Sequence, residues 1–490
     1  MQIRLTDIPI EVKQVAEILE NKGFEAYVVG GCTRDLMLGK TPKDWDLTTN
    51  AHPEQIQELF PEHYANNDYG TIGVKTESED PTLHVIEVTP YRSESKYSDA
   101  RRPDSVTFGV SLEEDLKRRD FTVNALAYRI STGELVDLFE GQEDLAAKRL
   151  KTVSDPDERF AEDALRMMRA VRLAAELDFV IESETMAAIL KNSQQLSRIS
   201  VERITSEFIR TVNSPTPMQG IVFMEKLNLL EQFLPELRIG IGVEQGGIHM
   251  YDVYEHLLRT MQAAADKEYS LAMRLAALFH DIAKPQTRRT GGKNKMYTFF
   301  GHEVVGARMT REIMGKMKLP RELTDEVVSL VRWHMFFADP DEITLAAVRR
   351  TIARIGEHHI EDLLNLRVCD RIGMGRPKEQ PFRFRKYKAM VDEALRDPIS
   401  VKMLKINGDR IMEMTDEKPG KRLGYILHAL LEEALDDPSK NTVEYMENRA
   451  LELLKLPEGE LRELAEAGKR RQAEEEAAAL KDIAREHHVG

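Results

Sequence analysis

The residue types best suited to chemistry begin at Val28, in VVGGCTRDLMLGKTPKDWDLTT. An apolar run ends in Gly30-Gly31, and a helix-like segment carrying Arg34 follows at once. Two glycines let a backbone approach a ligand closely, and a helix start offers free N–H groups to phosphate. Arg34 adds a guanidinium fork that can grip a phosphate. Asp44-Trp45-Asp46 comes next. Read as a strand, it aims both carboxylates the same way and Trp45 and Leu47 the other. Like charges held side by side call for a divalent cation. Mg²⁺ takes one or two protein carboxylates and leaves room for water and substrate phosphates. Glu87, in the alternating stretch VIEVTPYR, adds a third carboxylate. Such a group suits in-line displacement by a 3′-hydroxyl with pyrophosphate leaving.

The elements that must position these groups are legible in outline. EAYVVGG and TLHVIEVTPYR read as strands, and VNALAYRI and TGELVDLF read as two strands joined at Thr-Gly. HPEQIQELFP reads as a helix between them. After Phe160 the period is helical, through AEDALRMMRAVRLAAEL, SLAMRLAALFHDIA, GARMTREIMGKM and VEYMENRALELL. Glycine and proline cluster near Ser154, between Gly240 and Gly247, and between Gly375 and Pro381, which marks boundaries there. The expected division is 1–153, 154–240, 241–378 and 379–490. The last ~30 residues are charged and Ala-rich, as in a solvated helix or frayed tail.

The order GG-x-x-R-D, then D-W-D, resembles the head of the class II tRNA nucleotidyltransferase and poly(A) polymerase family, within the polymerase-β-like superfamily. Three more blocks match in order: Arg118-Arg119-Asp120, the acidic-glycine pair Glu140-Gly141, and Glu162-Asp163-Ala164-Leu165-Arg166. The resemblance covers about residues 1 to 240. It implies an α+β chain, with a nucleotidyltransferase head of small mixed sheet and helices, an all-α neck, and helical segments beyond. It fits catalytic roles for Asp44 and Asp46, with Mg²⁺ as the cofactor they hold, and Glu87 is expected to be their catalytic helper. It implies nucleotide binding by Gly30, Gly31, Arg34, Arg119, Asp163, Arg166, Arg169 and Arg172.

Elementary hydrogen-bond chemistry supports the selecting pair. Asp163 and Arg166 stand at i and i+3, neighbours on one face if the segment is a single helix. Cytosine and adenine both present an exocyclic amine beside a ring acceptor, which fits a carboxylate followed by a guanidinium. Uracil and guanine present the reverse order and leave buried groups unpaired. Each three-residue step falls ~60° short of a full turn, so Arg169 and Arg172 turn away from the base toward triphosphate or primer backbone.

The helical half carries a second set. His256, His280-Asp281, His302, His334 and Asp370 fall on successive helices. Imidazole with carboxylate suits Mn, Fe, Ni or Zn with water as nucleophile. The order resembles the HD metal-dependent phosphohydrolase superfamily, with His256, His280, Asp281 and Asp370 as core ligands and His302 and His334 as those of dinuclear versions. The polar stretch between Arg92 and Ser111 resembles the mobile loop of members that add the terminal A. Lys402, Lys405, Lys418, Lys421 and Arg422, near the turns Asn407-Gly408 and Pro419-Gly420, resemble the tRNA-gripping tail.

The expected activity is template-independent transfer of CMP and AMP from CTP and ATP to a tRNA 3′ end. A-only addition comes second and poly(A) synthesis third. The HD site adds phosphatase or phosphodiesterase chemistry. The chain has 490 residues, net charge −15 and pI about 5.5. Residues 1–150 hold 28 acidic and 17 basic side chains, so RNA must meet local basic patches on an acidic protein. No apolar run reaches 18 residues, which excludes a membrane-spanning helix. Two cysteines, Cys32 and Cys369, build neither a disulfide framework nor a zinc knuckle, and a reducing cytoplasm fits.

Overall fold

A computed structural model describes residues 3–65, 70–94, 106–246, 249–291, 296–336, 343–376, 378–397, 400–415 and 417–466. The chain forms two compact units, Met1–Pro235 and Glu236–Gly490.

The first unit opens with a seven-stranded mixed sheet. Its strands are β1 (Ala26–Val29), β2 (Asp46–Thr49), β3 (His63–Ala65), β4 (Ile72–Lys75), β5 (Val85–Pro90), β8 (Leu126–Arg129) and β9 (Glu134–Asp137). The order is β3-β4-β5-β2-β1-β8-β9. β2 and β5 run parallel, which sets Asp46 directly beside Glu87. Burial alternates along β5: Ile86 and Val88 are buried while Glu87 turns to the other face. Leu47 and Val88 together anchor the sheet, each worth roughly 2 kcal/mol of apolar burial. Behind β1, Tyr27 and Val29 pack on Tyr91, Leu116 and Ala127. β9 turns into the helix Gly141–Ala146 through Glu140, whose φ is +64°. A Cβ on Gly141 would lie 2.4 Å from the Thr122 carbonyl oxygen, so the acidic-glycine pair is a close-packed corner.

The polar stretch after Arg92 is bounded by two short strands. Its ends pair as an antiparallel ribbon, β6 (Arg92–Glu94) with β7 (Val106–Phe108). Residues 95–105, the centre of that expected mobile loop, lie outside the described residues, as do 467–490 of the expected tail. Helices Pro156–Glu162, Leu165–Leu177 and Val201–Val212 follow the sheet.

The second unit is helical. Val253–Asp266, Leu271–Phe279, His302–Lys316, Arg321–Trp333 and Glu357–Gly373 carry the histidine–aspartate set. Gly373 permits the close crossing of the first and last of these. A Cβ there would sit 2.1 Å from Thr260 Oγ1 and 3.0 Å from the Thr260 amide nitrogen. Phe382–Ala394, Lys421–Asp436 and Val443–Leu453 complete it. Asn407 caps the helix Gly408–Met414, accepting the Arg410 N–H at 2.9 Å, and Gly420 precedes Lys421–Asp436. Among the described residues no helix is long and apolar enough to cross a membrane. Cys32 and Cys369 are buried free thiols.

Candidate functional site

In the head, β1 ends at Val29 and Gly30 takes φ +81°, a conformation side chains rarely adopt. A Cβ on Gly30 would meet Arg119 Nη1 at 3.4 Å and Asp46 Oδ2 at 3.7 Å, so this glycine stands against the carboxylate side of the sheet. The helix Gly31–Met37 starts there and carries Arg34. Strand β2 begins only at Asp46, so Asp44 belongs to the bend before it rather than to the expected strand. The two carboxylates nevertheless share one cleft with Glu87, while Trp45 and Leu47 are buried. The cleft encloses about 460 Å³ and also takes in Gly31, Arg34, Lys43, Asn124, Arg169, Arg172 and Arg210. Burial, then the like charges of Asp44 and Glu87, push the Asp46 carboxyl up to about 7 against the pull of Arg119. That electrostatic strain is what a bound cation relieves, so the donor set fits Mg²⁺.

The arginines are held by acids behind the cleft. Arg34 Nη1 donates to Asn124 Oδ1 at 2.8 Å, and Asn124 donates to Asp120 Oδ1 at 3.2 Å. Arg169 donates to Asp120 Oδ2. Arg118 and Arg119 both pair with buried Asp115, which also accepts from Thr48. Arg172 pairs with Glu207 at 2.7 Å.

Asp163 and Arg166 do not share a helix face, which corrects the single-helix reading. The helix Pro156–Glu162 stops, and Asp163 takes extended backbone with φ −139°. Aspartate favours this break because its side chain satisfies a free N–H of the next helix. Asp163 Oδ1 accepts the Leu165 N–H at 3.0 Å, and Oδ2 accepts from Arg203 at 2.6 Å. Arg166 pairs with Glu162 and donates to the Arg159 and Arg118 carbonyls. Neither lines the carboxylate cleft, which Arg169 and Arg172 do. Arg203, 40 residues further on, carried no local signal.

In the helical unit six buried side chains able to bind a metal converge. His256, His280 and Asp370 form one close triad, and Asp281, His302 and His334 form another. Asp281 joins them: Oδ2 lies 3.2 Å from Nε2 of both His256 and His280, and Oδ1 lies 3.1 Å from His302 Nε2. His256 and His280 face each other at 3.1 Å through Nε2, and so do His302 and His334. Ligand atoms ~2.1 Å from one ion stand roughly 3.0–3.4 Å apart; the separations within the two triads run from 3.1 to 3.8 Å. The Nδ1–H groups of His280, His302 and His334 donate to the carbonyls of Ala277, Phe299 and Val331, leaving each Nε2 lone pair toward the centre. Asp281 Oδ1 and Asp370 Oδ1 are buried and accept no hydrogen bond. The set therefore fits two divalent metals. Burial lowers His280, yet the Asp281 and Asp370 carboxylates outweigh it and push the ring up to about 10. Lys284 Nζ lies 2.5 Å from Asp281 Oδ2, and Arg367 holds Asp370 Oδ2 at 2.6 Å. His249 packs edge-on to His256. Sequence reading missed these three neighbours. The spacing of Lys284 in HDIAK, one turn beyond Asp281, was the available signal.

Comparison with known proteins agrees with this layout. Residues 26–151 match the "Poly A polymerase head domain", 178–239 the "Probable RNA and SrmB-binding site of polymerase A", and 253–371 the "HD domain". A CCA-adding enzyme of Enterococcus faecalis is 47% identical over 241 residues, 48% of this chain and 57% of that protein. One from Lactococcus lactis is 43% identical over 243 residues, 48% of this chain and 59% of that protein. The chain thus matches little more than half the length of these curated relatives. The Bacillus stearothermophilus CCA-adding enzyme, solved with CTP, superposes with a TM-score of 0.67 and 25% identity, covering 91% of this chain and 98% of that one. The Thermotoga maritima enzyme, solved with tRNA, shares the fold at a TM-score of 0.57 and 18% identity, covering 92% and 100%. With its head motifs in order on a mixed sheet and its histidine–aspartate set on successive helices, the chain carries a poly A polymerase head domain and an HD domain.

Proposed function

We propose that the protein is a template-independent tRNA 3′-terminal nucleotidyltransferase that adds C, C and A from CTP and ATP. The observation that carries this is the pairing of Asp46 with Glu87 across β2 and β5, beside Asp44 in a cleft rimmed by Gly31 and arginines. The terminal 3′-oxygen of the RNA loses its proton and bonds to the α-phosphorus. The bond from that phosphorus to the β-phosphate oxygen breaks, and pyrophosphate leaves with the electron pair. Mg²⁺, held by Asp44, Asp46 and Glu87, supplies charge neutralisation and a more acidic 3′-hydroxyl when bound. Gly30 and Gly31 give the phosphates close backbone approach, and Arg34 and Arg119 bind them. Arg169 and Arg172, anchored by Asp120 and Glu207, orient the nucleotide. Asp163 and Arg166 select cytosine and adenine.

CCA addition is favoured over A-only addition because the matched relatives are CCA-adding enzymes. The reading assigns 1–153 to the head, 154–240 to the neck, 241–378 to the HD domain and 379–490 to a tRNA-binding tail. A second, metal-dependent phosphohydrolase activity in the HD site follows from its six converging ligands; a transition metal suits that imidazole-rich set. The test offers tRNA ending at the discriminator base, at C, or at CC, with one labelled nucleotide at a time. CTP incorporation on the shortest substrate, and ATP on the CC form, is expected. ATP incorporation alone sinks CCA addition, and no incorporation sinks the whole reading.

A further inference from the structure

One row of the sheet crosses four strands. Tyr64 on β3 is the partner of Gly73 on β4, Gly73 of Glu87 on β5, and Glu87 of Asp46 on β2. Cross-strand partners share a face, so all four stand on the cleft side. A Cβ on Gly73 would fall 2.6 Å from Tyr64 Cζ and 2.7 Å from Cε1. The ring therefore lies flat on the strip that the missing side chain leaves open. Covering a glycine explains one face of the ring. The residue is still 40% exposed, and it lines the same cleft as the carboxylates.

We propose that the Tyr64 ring is the platform on which the terminal base of the RNA acceptor stacks, and that Gly73 is glycine to let it lie there. The inference rests on the nucleotidyltransferase reading above. In an in-line displacement the attacking and leaving oxygens lie on opposite sides of the phosphorus. The strand order puts Gly30, at the end of β1, on one side of Asp46 and Glu87, and Tyr64 on the other. With pyrophosphate toward Gly30, Gly31 and Arg34, the attacking 3′-hydroxyl enters from the β4–β3 side. Neighbouring strands are ~4.8 Å apart, so a ring over Gly73 is about 10 Å from the Asp46 backbone. The acceptor's last base is the discriminator at the first addition and cytosine at the next two. Stacking accepts any base, whereas hydrogen bonds to base edges do not, and an aromatic platform meets that need.

The test uses the full chain and tRNA ending in CC, with Tyr64→Leu, Tyr64→Phe and Gly73→Ala. Leucine keeps an apolar cover on Gly73 and removes the π-face. Tyr64→Leu and Gly73→Ala are expected to raise KM for tRNA about tenfold, with KM for ATP and Tm near wild type for Tyr64→Leu. Tyr64→Phe is expected to restore wild-type values. A tRNA whose last residue is 5-iodocytidine is expected to photocrosslink to Tyr64, mapped by mass spectrometry. An unchanged tRNA KM in Tyr64→Leu overturns the proposal. So does a rise confined to the ATP KM, which assigns the ring to the incoming nucleotide, or a crosslink elsewhere with none at Tyr64. Failure of the parent reading looks different: the wild-type chain then incorporates no nucleotide, while a crosslink at Tyr64 still assigns the ring to RNA.

Discussion

Arg169 donates two hydrogen bonds to a single oxygen of Asp120, from Nε at 2.9 Å and from Nη2 at 2.6 Å. The other oxygen of Asp120 takes the Asn124 amide, which in turn accepts from Arg34. One carboxylate thus sets two cleft arginines from behind. It sits well below the usual carboxylate range, because Arg169 outweighs its burial. Asp120→Asn is expected to raise KM for CTP and ATP about tenfold and to cost on the order of 2 kcal/mol of stability. A depressed carboxyl stabilises the fold above its unfolded value. The stability gap between wild type and variant, read by urea denaturation, is therefore full above pH 3.8 and shrinks as pH falls below it.

Asp46 carries the opposite sign. Its carboxyl is raised to about 7 without metal, so its stabilising contribution is lost as pH rises from 3.8 toward that value. Thermal melts should show Mg²⁺ raising Tm more at pH 8 than at pH 6. Asp46→Asn should flatten that difference and lower nucleotide incorporation on the order of 10³-fold.

The Asp163 carboxylate, proposed above to select the base, is shared. Arg203 occupies Asp163 Oδ2, while Oδ1 caps the helix Leu165–Leu177. Arg203→Ala frees the first oxygen and loosens the side chain. The kcat/KM ratio of CTP over UTP is expected to fall about tenfold, a loss of roughly 1.4 kcal/mol of discrimination. An unchanged ratio would show that Asp163 is held by its cap alone.

Asp281 belongs to one triad and lies 3.2 Å from both histidines of the other, so if both triads hold a metal its loss should cost two metals where the loss of His302 costs one. Plasma mass spectrometry of Asp281→Asn should find under one equivalent per chain, against two in wild type. Nucleotide incorporation by the head should stay within about twofold of wild type. Two retained equivalents would remove the bridging role.

Gly141→Ala tests the corner after β9. Its added methyl meets the Thr122 carbonyl at 2.4 Å, and overpacking of this kind costs about 2 kcal/mol. Urea denaturation reads the loss directly.

Groups close in sequence were the legible ones. Gly30, Gly31, Arg34, Asp44 and Asp46 lie within 17 positions, and each histidine of the second set marks its own helix. The Asp163 break was hidden because helix-forming residues flank it on both sides, and a cap looks like a mid-helix aspartate until the backbone is known. Strands β3 and β4 were missed because three- and four-residue strands carry almost no periodic signal. Arg203 and Tyr64 reach their partners through tertiary packing, for which no local spacing exists.

The neighbours of β1 have a consequence for synthesis on the ribosome. One side of β1 is closed by β2, about 20 residues later, but the other waits for β8, about 100 residues later. A nascent chain that has emerged through β7 already carries Gly30, Asp46 and Glu87, yet β1 is still an open edge. The full strand order around β1 therefore needs the polypeptide out to Arg129, and until then β1 is an edge that lacks its last partner.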